Sequence, residues 1–131
     1  MDESIKALLE LDRDKFKVKN KEYKIKRLSE ICGRDIVLTL KPVSFDRLSE
    51  LKEMHEDFDE LKLMIAADGI ATDLNPLKPK FKAENKAELI KAMFTPGEIE
   101  DIYIAISKMS GYSGVTIEEI KKKSEKTENG N

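Results

Sequence analysis

Tryptophan is absent from the 131 residues, and cysteine and histidine occur once each. A lone Cys32 excludes an internal disulfide and suits a reducing compartment, and one Cys with one His excludes a zinc site built on soft ligands. Aromatic residues make up only 6%, too few to wall a substrate cleft around paired carboxylates. The phosphate-cradling loops GxxxxGK(S/T) and GxGxxG are missing. No apolar run approaches the roughly 20 residues that span a bilayer, and Met1-Asp2-Glu3-Ser4 is too acidic to open a secretory leader, so a cytoplasmic protein with no membrane partner is expected. Nor does one sign of charge dominate. Lys and Arg number 24 against 26 Asp and Glu, a formal charge of −2, which excludes a dedicated DNA-wrapping or membrane-surface protein.

What is present is a charged, well-solvated composition, 38% charged and 40% apolar, that suits one globular domain over residues 1–123 and a mobile tail over 124–131. The pattern predicts an α+β fold, mostly helical, with a small antiparallel β-sheet near the N-terminus and a helical C-terminal half. Ile5, Leu8, Leu9 and Leu11 predict a short amphipathic helix over Ser4–Leu11 with little to hold it unless it docks. Sheet is expected over 16–43. Phe16, Val18, Tyr23 and Ile25 alternate with lysines in a hairpin pattern, and the β-branched run Ile36–Leu40 supplies a third strand before Pro42. Residues 16–27 hold five lysines and Arg27 against Glu22 alone, a net charge of +5.

Ser44 is an N-cap for one long helix over 44–68, with Phe45, Leu48, Leu51, Met54, Phe58, Leu61 and Ile65 at three- and four-residue steps. Within it, Met54, Phe58, Leu61 and Ile65 form a stripe suited to a partner or to self-association into dimers or larger assemblies. A loop follows from Gly69 to about Glu84. Asn85 with Glu88 opens a helix, and Thr95-Pro96-Gly97-Glu98 opens another as a capping box with proline at the first helical position. Gly111 ends that helix as a left-handed C-cap, and Thr116 with Glu119 predicts a last short helix through Lys123.

Candidate chemistry is sparse. His55 has carboxylates for neighbours and no nucleophile at helical spacing, and Cys32 has no adjacent base, so no catalytic residue is assigned and no enzyme is expected. Asp57, Asp59, Glu60, Asp68 and Asp73 lack the ligand spacing of a calcium loop, so neither metal nor cofactor is expected. An alternative reading is a small nucleic-acid-binding module using the basic hairpin 16–27, the GxxG-like turn Gly111-Tyr112-Ser113-Gly114 and the Lys78, Lys80, Lys82 row. Against it, the turn has no basic middle residue and lies in a net acidic stretch, so nucleic acid is not the expected partner.

The segment from Phe94 to Tyr112, with its Pro96-Gly97-Glu98-Ile99 and Ser110-Gly111-Tyr112, resembles the corresponding segment of XkdN-like phage tail assembly chaperones. The order of elements along nearly the whole chain is also similar to that family. The resemblance implies a noncatalytic phage or prophage protein that binds apolar helical segments of the tape measure protein and keeps it soluble during tail assembly. It implies location in the bacterial host cytoplasm and absence from the mature virion. Thr95, Pro96, Gly97, Glu98 and Gly111 carry the family-like motif, and the role expected for them is helix capping.

Overall fold

The structure, a computed structural model, describes residues 2–120. Asp2 begins it by capping α1 (Glu3–Glu10), its carboxylate accepting from the Ser4 amide at 2.7 Å. A 3₁₀ turn over Arg13–Phe16 follows, then β1 (Lys21–Lys24), α2 (Lys26–Cys32) and β2 (Val37–Leu40). The two strands pair antiparallel with Lys21 opposite Leu40 and Lys24 opposite Val37. The basic hairpin expected over 16–27 is therefore corrected. Phe16 lies in the 3₁₀ turn, β1 pairs with β2, and residues 26–32 are helical. Ile25, Leu28, Ser29 and Cys32 are spaced three and four apart, a helical period that the lysine alternation overlay. Gly33, at φ +68°, ends α2 in a Schellman arrangement, its amide bonding Glu30 O while Arg34 N bonds Ser29 O. Ser29, a buried polar residue, ties this helix to the sheet: its hydroxyl donates to Ile25 O at 2.7 Å and accepts from Ile36 N at 2.8 Å.

The helix expected over 44–68 is two. α3 (Phe45–Met54) is capped by Ser44 and α4 (Phe58–Gly69) by Asp57, with His55 extended between them. Asp57 with Asp59 and Glu60 behind it is a start signal in its own right, since carboxylates in a first turn meet the free amides and the positive end of the helix dipole. The two helices fold back on each other, and Arg47 near the start of α3 grips Asp68 near the end of α4 through Nε–Oδ2 at 2.6 Å and Nη2–Oδ1 at 3.1 Å. Gly69 closes α4 rather than opening a loop. The chain then runs beside β2, with Lys41 N bonding Gly69 O and Ala71 N bonding Thr39 O, both at 2.8 Å.

A 3₁₀ turn over Asn75–Leu77 leads into α5 (Lys78–Phe81), then α6 (Lys86–Met93) and α7 (Pro96–Met109). α4 and α7 make the central helix pair, and the core gathers around Leu40, Leu51, Ile70, Leu89, Ile90 and Ile106, all less than 2% exposed. The short helix expected from Thr116 is not formed over 116–120, and its remainder, like the expected tail, lies outside the described residues.

Candidate functional site

The start of α7 is fastened from three sides. Thr95 Oγ1 accepts from Glu98 N at 3.1 Å while Glu98 Oε1 accepts from Thr95 N at 2.8 Å, completing the capping box, with Pro96 at the first helical position. Arg27 of α2 adds a bidentate grip on Glu98 at 3.0 and 2.9 Å and donates to Met93 O at 2.9 Å. That guanidinium, ahead of the Thr95 contacts, holds the Glu98 carboxyl below the ordinary carboxylate pKa. Around Gly97 there is open space for a side chain. At the far end of α7, Gly111 at φ +93° donates to Lys108 O and Tyr112 N to Ser107 O, both at 3.0 Å. This is again a Schellman cap, so the Gly111 and Tyr112 amides are spent on their own helix, while Ser113 N bonds Gly111 O. These residues position α7 and carry no reactive arrangement.

The residues proposed as a partner stripe separate. Met54 and Phe58 are 66% and 56% exposed, Leu61 is half-buried, and Ile65 is core at 5%. The break at His55–Asp57 puts Met54 on a different helix from the other three, and along α4 the shared face runs from exposed Phe58 at its start to buried Ile65. Phe58 packs edge-to-face on Tyr103, with the Lys62 ammonium 4.5 Å above its ring. Lys62 also pairs with Glu100 at 2.9 Å, a hydrogen bond that raises its pKa.

Of the five carboxylates considered for a cation, four already hold a contact, Glu60 through His55. Asp57 caps α4, Asp68 holds Arg47, and Asp73 accepts from Asn75 N at 3.0 Å. Among the described residues no group of three potential ligands converges. His55 Nδ1 lies 2.9 Å from Glu60 Oε1 and its Nε2 is buried without a partner, which makes it a boundary residue between α3 and α4. Cys32 is exposed at the end of α2.

Two features were not assembled from the sequence. The first is that the described residues leave the apolar face of α1 largely exposed. None of its residues is buried, and Ile5, Leu8 and Leu9 are 48%, 48% and 68% exposed. Phe16 and Val18 are exposed as well. The second is an open groove of about 950 Å³ between α4, α6 and the start of α7, floored by Leu63, Met64, Phe94 and Ile99. Its residues come from positions 57–100, too far apart for any local pattern to reveal.

Among known proteins, the chain matches the family described as phage XkdN-like tail assembly chaperone protein over residues 5–125. No curated protein matches it. Its fold is similar to the crystal structure of the protein yqbn, with a TM-score of 0.56 and 20% identity over 79% of this chain and 98% of that one. Among the described residues no helix is long and apolar enough to cross a membrane.

Proposed function

The chain belongs to the phage XkdN-like tail assembly chaperones, and from that premise we propose that it is a noncatalytic chaperone of the tape measure protein, shielding apolar helical segments of that protein in the host cytoplasm until the tail tube forms around it. The observation that supports this most is α1. A helix of eight residues is marginal in water by itself, and the described residues bury none of its apolar side chains. Ile5, Leu8 and Leu9 are therefore available to lie against another chain's apolar helix, the groove-and-stripe mode by which amphipathic helices recognise one another. We give Met54 and Phe58 a supporting role, since both stay exposed on a fold that covers most of its large apolar side chains.

Co-expression tests the reading. The tape measure protein of the same phage or prophage should shift from the insoluble to the soluble fraction when the two are made together, and should co-purify with it. An unchanged soluble fraction would count against the assignment.

A further inference from the structure

We infer that the groove between α4, α6 and the start of α7 is a docking site for an amphipathic α-helix whose apolar stripe is flanked by lysine or arginine. The inference rests on the reading that this chain binds a foreign helical chain, and it states the chemistry which that chain must bring.

The groove's floor is apolar and its rim is acidic. Asp57, Asp59, Glu60, Glu88 and Glu100 line it against Lys62 and Lys91. Lys62 is already engaged by Glu100 at 2.9 Å, so carboxylates dominate what an arriving side chain meets. A ligand with an acidic flank would place like charges together in a partly desolvated cleft, which costs affinity, whereas a basic flank gains on both encounter and register.

The walls are helical, and their backbone groups are spent within their own helices. Among the described residues no strand edge borders the groove, so an occupant must satisfy its own backbone hydrogen bonds, which a helix does and an extended segment does not. Met64 in the floor has the flexible thioether that adapts to differing apolar shapes. α1 of a second copy is a poor occupant, because Asp2, Glu3 and Glu10 outnumber Lys6 on and beside it.

The test uses two fluorescein-labelled model peptides of about 18 residues that share one leucine stripe and differ only in lysine or glutamate flanks. Their anisotropy is measured against the full chain at about 0.05 M and about 0.3 M salt. The lysine peptide should bind about tenfold more tightly than the glutamate peptide at low salt, and the gap should narrow at high salt. Ala87→Trp, which fills the groove from α6, should abolish binding of both. Asp59→Asn with Glu60→Gln should weaken the lysine peptide several-fold, with an unchanged circular dichroism spectrum confirming the fold.

Equal affinity for the two peptides, or binding that survives Ala87→Trp, overturns the inference. So does tighter binding of both peptides at about 0.3 M salt after Lys121, Lys122 and Lys123 are replaced by serine, because relief of general charge attraction cannot tighten the glutamate peptide and the chain's own basic segment would then be the occupant. Failure here with the tape measure protein still solubilised removes only the groove. Groove binding without solubilisation removes the chaperone reading instead.

Discussion

Gly69 at the end of α4 lies against Ile106 of α7 so closely that a methyl group on its α-carbon would fall 2.6 Å from Ile106 Cγ1. Ile106 is fully buried and has nowhere to move. Gly69 is not among the residues at positive φ, so the requirement for glycine comes from packing rather than from backbone conformation. Alanine ordinarily gains about 1 kcal/mol over glycine inside a helix and less at the last helical residue, where Gly69 stands, while an approach this close to a buried side chain falls toward the upper end of the about 1–3 kcal/mol that overpacking costs. Gly69→Ala should therefore destabilise the protein by about 1–2 kcal/mol in urea unfolding, and Ile106→Val added to it should recover part of the loss. A Gly69→Ala variant as stable as the parent would mean that α4 and α7 do not approach this closely.

The Arg27–Glu98–Thr95 junction predicts a cap effect and a pH effect. Thr95→Ala removes the acceptor for the Glu98 amide and should cost about 1 kcal/mol. Glu98 has a folded-state pKa below its ordinary value of 4.5, set first by the Arg27 hydrogen bonds, so the native state binds fewer protons than the unfolded chain. Its contribution is complete above that ordinary value and disappears as pH falls through the folded pKa. The stability gap between the parent and Glu98→Gln should accordingly be widest above the ordinary value of 4.5 and should shrink as the pH falls below it. Thermal unfolding followed across that range reads it directly, and a gap independent of pH would show that Glu98 is not held ionised by Arg27.

Much of the helical half was legible because a cap is a local event. Thr95 to Glu98, Asn85 to Glu88 and Ser44 each declare themselves within four residues, and each caps a helix as its letters suggest. Arg47 and Asp68 show why other parts were not. In one continuous helix these two, 21 positions apart, would be separated by about 31 Å, yet their side chains meet at 2.6 Å. The apolar three- and four-residue steps continue straight through the break at His55, so periodicity cannot see a turn whose cause is the packing of α3 back on α4. The same limit applies to the candidate site. The stripe on α1 can be read from Ile5, Leu8 and Leu9, but that it stays uncovered is a tertiary fact, and the groove exists only once Asp59, Glu88 and Ile99 are brought together.

Lys82 is the one non-glycine residue at positive φ among those described, at +53°, where it ends α5. Its amide bonds Pro79 O at 3.2 Å and Ala83 N bonds Lys78 O at 3.0 Å, the same Schellman pattern in which Gly33 and Gly111 serve elsewhere in the chain. A side chain in this conformation costs roughly 1–2 kcal/mol, partly offset by the greater unfolded-state entropy of glycine. Lys82→Gly should therefore stabilise the protein by about 0.5–1 kcal/mol. A raised urea midpoint with unchanged slope confirms it, and a lowered midpoint would place residue 82 outside the left-handed region.

Replacing Leu8 and Leu9 with serine separates folding from partner binding. Both side chains are about half exposed or more, and no residue of α1 is buried, so the double variant loses little native packing. Its effect on global stability should fall within about 0.5 kcal/mol, the range typical of surface substitutions. If α1 meets the tape measure protein as proposed, the same variant loses apolar area at that contact worth about 1 kcal/mol or more per leucine, and at least a tenfold fall in affinity follows. Co-expressed tape measure protein should then return to the insoluble fraction while the variant itself unfolds at the parent's urea midpoint. A large drop in that midpoint would instead show that α1 is held by its own domain, and the apolar face would no longer be available to a partner.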